Sequence, residues 1–194
     1  VFMNYYISDL HLFHANCIQF DKRPFEDLDE MHETMRNKWN RKITNDDIVY
    51  LLGDISYHGN AESLIAYIST LKGRKILIRG NHDDVSDYRY QRLFEEACDY
   101  KEIVDSVDGQ PHDLVLCHYP IFSWKRMGKG TILLYGHTHN SPEDDYYQIC
   151  LANMVNDDCN HVYKTEARAI NVGCMKPWMN YEPRTFKEIY KGAY

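Results

Sequence analysis

Five apolar stretches of the sequence each end in carboxylate, amide or imidazole side chains, the groups that bind metal ions and move protons. In one of them, Ile76-Leu77-Ile78-Arg79 runs into Gly80, and Asn81, His82 and Asp83 follow directly. A run rich in β-branched residues predicts a buried strand, and the glycine permits a tight turn after it. Because ligands bind at the carboxyl ends of strands in open α/β sheets, this turn is predicted to carry chemistry.

The other four stretches end in the same types of residue and are spread over most of the chain. They supply Asp9 and His11, Asp54, His118, and finally His137 and His139. If the strands lie in one layered core, their carboxyl ends share a rim, and these side chains meet Asn81 and His82 in a single cleft. Imidazoles combined with two carboxylates and one amide suit Mn²⁺, Fe or Zn²⁺ better than Ca²⁺, which takes oxygen ligands only.

Four imidazoles, two carboxylates and one amide make seven ligands, which are too many for one tetrahedral ion and enough for two ions that share a carboxylate. Two cations about 3.5–4 Å apart lower the pKa of a bridging water and hold both the attacking and the leaving oxygen of a phosphoryl centre. The set therefore predicts hydrolysis of a phosphate ester at a dinuclear metal site. A single Asp-x-His or His-x-His arises by chance in many proteins, so the prediction depends on all five motifs together.

Alternating strands and helices are expected to position these side chains. Apolar runs predict strands over residues 2–7, 48–52 and 75–79, with helices over residues 29–43 and 60–71 between them. Such alternation predicts a layered α/β fold with largely parallel central strands.

The first helix has the clearest periodicity. Met31, Met35, Trp39 and Ile43 recur every four residues and predict one buried stripe. Asn60 is the predicted N-cap of the second helix.

A further helix is expected over residues 87–98, and the pattern changes after it. Strands over residues 100–107 and 113–117 predict a second, more antiparallel sheet. Two more strands are expected over residues 131–135 and 169–172, and a closing helix over residues 185–190. Residues 141–168 are polar and acidic, and we expect an elaborated loop or short helix inserted there.

Length and composition narrow the class of protein. The 194 residues suffice for one domain with a sizeable core, so a single domain over residues 1–194 is expected. Twenty-two Lys and Arg against 29 Asp and Glu give a net charge of −7, which creates no global attraction for nucleic acid or anionic membranes. Without a signal-peptide pattern or a run of about 18 apolar residues, a cytoplasmic location is expected. Six cysteines without CxxC spacing predict reduced, mostly buried thiols.

The five motifs resemble, in their order, the signature of the calcineurin-like metallophosphoesterases: D-x-H, GD, GNHD or GNHE, H, and GHxH. The resemblance spans residues 5–172 and is strongest to a compact bacterial and phage-type branch. It implies an α/β fold, the calcineurin-like four-layer α/β/β/α sandwich, in which two mixed β-sheets pack face to face with helices outside.

The resemblance also implies a role for each motif residue. It places Asp9, His11 and His139 on one ion, places Asn81, His118 and His137 on the other, and makes Asp54 the bridge between them. His82 is left without a metal and would contact the substrate phosphate and protonate the leaving oxygen, which suits an imidazole because it titrates near neutral pH. Asp83 would then either orient His82 or cap the next turn.

Two further histidines are candidates for substrate binding. His14 lies three residues after His11 and could reach the phosphate. His58 lies where protein serine/threonine phosphatases carry an arginine in their GDxxDRG motif, and this departure argues against a phosphoprotein phosphatase. His32, His112 and His161 are expected to be surface or packing residues.

The resulting hypothesis is a dinuclear metal-dependent phosphoesterase in which a bridging hydroxide attacks phosphorus and His82 assists the leaving group. Manganese is the favoured metal, with iron or zinc as alternatives, and a phosphodiester of a small nucleotide-like substrate is favoured. The alternatives left open are a nuclease, a phosphomonoesterase and a non-catalytic scaffold that binds metal or a partner. Nucleic acid is not favoured as a partner, a membrane is not expected, and homo-oligomerisation is left open.

Overall fold

The computed structural model of the chain describes residues 2–57, 61–156 and 167–194. Within these residues the chain forms nine strands and six α-helices. The strands are β1 (Asn4–Ile7), β2 (Ile48–Leu51), β3 (Arg74–Ile78), β4 (Glu96–Cys98), β5 (Tyr100–Val107), β6 (Gln110–Cys117), β7 (Ile132–Tyr135), β8 (Arg168–Asn171) and β9 (Arg184–Thr185). The helices are α1 (Asn16–Phe20), α2 (Leu28–Lys42), α3 (Ala61–Ser69), α4 (Tyr88–Gln91), α5 (Pro142–Asn156) and α6 (Phe186–Ala193).

The strands form two mixed sheets. The first has the order β4-β3-β2-β1-β9, and its strands are parallel except for β9 at the edge. The second has the order β5-β6-β7-β8, with an antiparallel hairpin of β5 and β6 followed by two parallel pairs. The second sheet is therefore less antiparallel than the sequence predicts, because β6, β7 and β8 all run in the same direction.

The two sheets pack against each other through side chains that alternate along their strands. Leu114 and Leu116 of β6 belong to the same buried cluster as Ile7 of β1, whereas Val115 between them lies in a second cluster on the opposite face of its sheet. Tyr6 also donates a hydrogen bond of 2.6 Å to Asp105 of β5, across the two sheets. This alternation makes two apolar layers, as the period of a strand requires.

Helix α2 packs against the first sheet as its periodicity predicts. Met31, Met35, Trp39 and Ile43 are all buried. The helix begins after Asp27, whose carboxylate accepts the backbone N–H of Glu30. The predicted stripe is confirmed, and it closes the outer side of the first sheet together with α3.

The predicted helix over residues 87–98 is wrong. Only Tyr88–Gln91 is helical, and Glu96–Cys98 instead forms β4 beside β3. Arg79 donates its backbone N–H to the carbonyl of Cys98 at 2.8 Å, which extends this pairing past the end of β3. The exposed edge of β3 offers unpaired backbone groups, and satisfying them outweighs a local preference for helix.

Residues 141–168, expected to be a loop or short helix, contain the 15-residue helix α5. Tyr147 and Leu151 of α5 are buried in the second cluster with Trp124 and Tyr135, so the helix covers the outer face of the second sheet. The predicted cap Asn60 and the histidines His58 and His161 lie outside the described residues. None of the described helices is long and apolar enough to cross a membrane.

Candidate metal centre

The loops that follow β1, β2, β3, β6 and β7 converge at the carboxyl edges of the two sheets. Asp9 donates its backbone N–H to the carbonyl of Gly53 at 3.0 Å, which joins the loops after β1 and β2. His137 donates its backbone N–H to Asp9 Oδ1 at 3.0 Å, which joins the second sheet to the first. The loops are therefore bonded to each other, once between two backbones and once from a backbone to a carboxylate.

Asp9, His11 and His139 form the first candidate metal cluster. Each offers one ligand atom, and these atoms lie within 4.8 Å of one another. The Nε2 atoms of His11 and His139 are 3.0 Å apart, and His139 Nε2 lies 3.7 Å from Asp9 Oδ1. Asp9 and His11 are buried.

Asp54, His118 and His137 form the second candidate cluster, which meets the same distance limit of 4.8 Å. His118 Nε2 lies 3.5 Å from Asp54 Oδ2. Asn81 Oδ1 lies 3.3 Å from His118 Nε2, so the amide of the loop after β3 joins this cluster.

Asp54 lies between the two clusters. Its Oδ2 is 3.8 Å from His11 Nε2 in the first cluster and 3.5 Å from His118 Nε2 in the second. Its Oδ1 accepts the backbone N–H of His82 at 3.0 Å, which fixes the orientation of the carboxylate. One carboxylate is thus within reach of both groups of imidazoles.

The electrostatic environment keeps two of the imidazoles neutral. Burial, together with the nearby charges of His139 and Arg23, lowers the pKa of His11 to about 2. Burial and the neighbouring His118 lower the pKa of His137. A neutral imidazole has a free lone pair, which is the form that binds a metal.

Hydrogen bonds hold two other imidazoles by the nitrogen that faces away from the clusters. His118 Nδ1 lies 2.7 Å from the carbonyl of Leu52, and His139 Nδ1 lies 2.8 Å from Asp21 Oδ1. Burial would lower the pKa of His139, but this hydrogen bond and the charge of Asp9 raise it overall. Such partners orient a metal-binding ring and select which nitrogen keeps its lone pair.

The backbone at the clusters is strained. Positive φ angles, which L-residues rarely adopt, occur at Asp9, His11, Asp54, His137 and His139, with values between 48° and 72°. Residues held in this region cost about 1–3 kcal/mol each and persist only where the surroundings enforce them. Their concentration at the two clusters indicates that this geometry serves a function.

Asp21 is a part of the site that sequence reasoning missed. Its carboxylate binds His139 through Oδ1, and its Oδ2 accepts Arg23 Nε at 3.0 Å and Nη2 at 2.8 Å. Arg23 also donates to the backbone carbonyls of Asp9 and Leu10, so the buried pair is attached to the first cluster at two points. The sequence carries no motif at Asp21, and only the structure shows that Asp21 and the nearby Arg23 are buried together.

A second missed residue is Asp144 in the first turn of α5. This buried carboxylate accepts hydrogen bonds from Tyr135, Thr138, Asn171 and Lys176. Because Thr138 lies between His137 and His139, this network fixes the loop that supplies both histidines. The helix that was expected to be an insertion therefore supports the site.

Asp83 accepts hydrogen bonds from backbone groups of two loops. Its carboxylate accepts the backbone N–H groups of Asp54, Ile55 and Gly80 at 2.8, 3.1 and 2.8 Å. Burial raises the pKa of Asp83 despite these hydrogen bonds. The groups that Asp83 caps lie before it in the chain and not in the next turn, and its carboxylate joins the loops after β2 and β3.

The two clusters border a cavity of about 580 Å³. His82 and His14 lie on its wall, and His82 Nε2 is 4.0 Å from Asp54 Oδ2. Among the described residues that line the cavity there is no lysine or arginine, and Glu143 lies at its edge. This volume falls within the range of about 300–1,000 Å³ that is usual for small-molecule sites.

The fold and the site together define a class of protein. Two mixed sheets flanked by helices carry, at their carboxyl edges, two Asp/His clusters that could each hold a metal ion. The family model described as calcineurin-like phosphoesterase matches residues 5–141. The chain therefore belongs to the calcineurin-like phosphoesterase family, and it has the fold expected from its motifs.

Two related sequences and one solved structure are similar to this chain. The chain is 32% identical over 143 residues to an uncharacterized protein of Methanocaldococcus jannaschii, covering 73% of this chain and 72% of the relative. It is 30% identical over 158 residues to the Gene 66 protein of Mycobacterium phage D29, covering 70% of this chain and 78% of that protein. The crystal structure of a protein of unknown function from Aquifex aeolicus matches the fold with a TM-score of 0.65 at 24% identity, over 98% of this chain and 99% of that one.

Proposed function

We propose that this protein is a dinuclear metal-dependent phosphodiesterase acting on small nucleotide-like esters. The observation that carries the proposal is the position of Asp54 Oδ2 between the two clusters, 3.8 Å from His11 Nε2 and 3.5 Å from His118 Nε2. Asp54 would bind both ions. The remaining ligands would be Asp9, His11 and His139 for the first ion, and Asn81, His118 and His137 for the second.

The residues present fit a pair of transition-metal ions. The Nε2 atoms of His11 and His139 face each other at 3.0 Å. Two nitrogens bound at right angles to one ion at about 2.1 Å each would be about 3 Å apart, so a cation between these atoms would satisfy both lone pairs. The mixture of imidazole, carboxylate and amide ligands favours Mn²⁺, and Fe or Zn²⁺ remain alternatives.

When bound, such a cation pair lowers the pKa of a water molecule and neutralises charge on the phosphoryl oxygens. The chain itself would supply the proton for the leaving oxygen from His82, whose side chain lines the cavity and is 29% exposed. The hydrogen bond from the His82 backbone to Asp54 Oδ1 fixes this loop relative to the clusters. His14, on the same wall, would contact the substrate phosphate.

The charge of the cavity wall favours a diester over a monoester. At neutral pH a phosphomonoester carries nearly two negative charges and a diester carries one. No lysine or arginine is present among the described residues that line the cavity, and Glu143 adds a negative charge at its edge. A dianion would have only the metal ions and a protonated His82 to neutralise it. The same absence, with the net charge of −7, disfavours a long nucleic acid as substrate.

The test is hydrolysis by the Mn²⁺-loaded protein of bis(4-nitrophenyl) phosphate, 4-nitrophenyl phosphate and a thymidine dinucleotide. We expect the diesters to give the higher kcat/KM. His82→Ala should lower kcat for the dinucleotide by about 10²–10⁴-fold, because its alkoxide leaving group needs a proton. The loss of kcat should be smaller for bis(4-nitrophenyl) phosphate, because its weakly basic leaving group departs without needing a proton.

The matched control is His112→Ala. His112 lies on β6 against the rings of Phe186 and Tyr190, outside the cavity. Its replacement should leave kcat unchanged for the dinucleotide and for bis(4-nitrophenyl) phosphate. If the fully metallated wild type cleaves no ester, the non-catalytic scaffold replaces this proposal. If cleavage is confined to oligonucleotides and their binding is sensitive to salt, the nuclease replaces it.

A further inference from the structure

Phe20 places an exposed aromatic face on the wall of the cavity. It is the last residue of α1, and its side chain is 53% exposed. Its ring centroid lies 5.6 Å from those of His14 and His139 and 6.2 Å from that of His11. A half-exposed phenylalanine beside a candidate catalytic centre leaves apolar surface that a bound molecule could cover.

Phe20 begins a row of rings that leads across the cavity wall to His82. The ring of His14 stacks on Tyr57 with a centroid distance of 4.2 Å and an interplanar angle of 18°. Tyr57 in turn meets the ring of His82 at 4.6 Å. The row therefore extends from the first cluster, at His139, to the residue assigned to the leaving group.

The position of Phe20 is fixed by its neighbours. Cys17 of the same helix is buried, and Asp21, the next residue, binds both His139 and Arg23. The backbone N–H of Asp21 also bonds to the carbonyl of Cys17 at 3.1 Å. Because the backbone at Phe20 is held in this way, only the side-chain rotation of Phe20 remains to be fixed when a ligand binds, which limits the entropic cost of a stacking contact.

The remaining lining residues select the kind of ring that fits. Asn140 and Ser141 line the same cavity as Phe20 and supply amide and hydroxyl groups. A heteroaromatic base has a flat face for stacking and polar edges for hydrogen bonds, whereas an alkyl chain has neither. The lining therefore suits a nucleobase better than a lipid chain.

We propose that Phe20 stacks on the planar base of the substrate and so makes the enzyme selective for esters of nucleosides. This inference rests on the proposed function, because the phosphate must lie at the candidate metal centre for the base to reach Phe20. Stacking of a base on an aromatic side chain raises affinity by about tenfold or more.

The test measures binding, so it does not depend on turnover. Isothermal titration calorimetry would compare adenosine 5′-monophosphate with ribose 5-phosphate, which lacks only the base, on the Mn²⁺-loaded protein. We expect the wild type to bind the first ligand at least about tenfold more tightly, and Phe20→Ala to reduce this ratio to about two or less. Phe20→Tyr, which keeps the aromatic face, should retain the ratio.

Phe2→Ala is the matched control. Phe2 is 57% exposed, and it precedes β1, so it lies at the amino edge of the sheet while the cavity lies at the carboxyl edge. This variant should keep the wild-type ratio. If circular dichroism shows that Phe20→Ala is unfolded, Phe20→Leu replaces it, because leucine keeps the apolar bulk and removes the aromatic face.

The outcomes separate this inference from the proposed function. A wild-type ratio near one, or an undiminished ratio in the folded Phe20→Ala or Phe20→Leu protein, overturns the role of Phe20. If the wild type discriminates between the two ligands, the Phe20 variant loses this discrimination and the wild type cleaves no ester, base binding by Phe20 is supported and only the phosphodiesterase is overturned. A wild type that cleaves esters but does not discriminate between the two ligands supports the phosphodiesterase and overturns base binding by Phe20.

Discussion

Replacing Asp21 by asparagine tests whether the buried carboxylate behind His139 supports the first cluster. Both of its oxygens are used, Oδ1 for His139 and Oδ2 for Arg23. Asparagine offers one acceptor oxygen and presents an NH₂ group in place of the other. One of the two buried donors must therefore lose its acceptor in Asp21→Asn.

The magnitude follows from the burial of the pair. The side chains of Arg23 and Asp21 are 0% and 2% exposed. Removing one partner of a buried ion pair costs about 3–5 kcal/mol. Arg23 keeps its bonds to the carbonyls of Asp9 and Leu10, so we expect a loss near the lower end, about 3 kcal/mol, and a fall in Tm of about 6–12 °C for a chain of this size. Affinity for the metal at the first cluster should fall by about 10–100-fold.

Two measurements check this prediction. Thermal unfolding of the metal-free protein isolates the ion pair, and titration with Mn²⁺ should show one weakened site and one unchanged site. The control is Asp99→Asn, which removes an ion pair with Arg79 in which Asp99 is 72% exposed, and it should cost no more than about 1 kcal/mol. An Asp21→Asn protein with wild-type Tm and two unchanged metal affinities would show that the reasoning about Asp21 is wrong.

Three further predictions concern the loops after β2 and β3. Asp54→Asn should lower the number of metal ions bound at both clusters, whereas His137→Ala should lower mainly the number bound at the second. Elemental analysis after gel filtration distinguishes these two results. Two ions retained by Asp54→Asn would exclude a bridging role for Asp54. Asp83→Ala leaves three backbone N–H groups without their acceptor, so the free energy of unfolding, measured by urea denaturation, should fall by about 3 kcal/mol. An unchanged urea midpoint would contradict this. Gly53→Ala would place a Cβ 2.6 Å from Gly80 N at a φ of +86°, and we expect severe destabilisation and loss of metal binding. In contrast, Gly109→Ala, also at positive φ but with nothing within 4 Å of the added Cβ, should cost about 1 kcal/mol; equal losses in the two variants would show that crowding at Gly53 is unimportant.

Much of the fold could be predicted because it depends on local periodicity. The four-residue spacing in α2 correctly predicts which of its side chains are buried. The apolar runs of β1, β2 and β3 do the same for these strands. The candidate ligands could be named for a related reason. Each lies in the loop that follows a strand, and parallel strands bring their carboxyl ends to one edge of a sheet.

The errors arose where contacts between distant segments decide the outcome. Residues 96–98 are a strand because the edge of β3 needs a partner, and nothing in their own spacing reveals that edge. The length of α5 depends on the second apolar cluster, which covers a sheet face that a sequence pattern does not show.

The sequence by itself determined the residue types at the ends of five strands, and with them the ligand types of the two candidate metal clusters. Only the tertiary structure decided what surrounds those residues. Asp21, Asp144 and Phe20 occupy segments without a motif, and they reach the site because the fold brings them there. A hydrogen bond or a ring contact needs only proximity in space, so its partners leave no periodic trace along the chain.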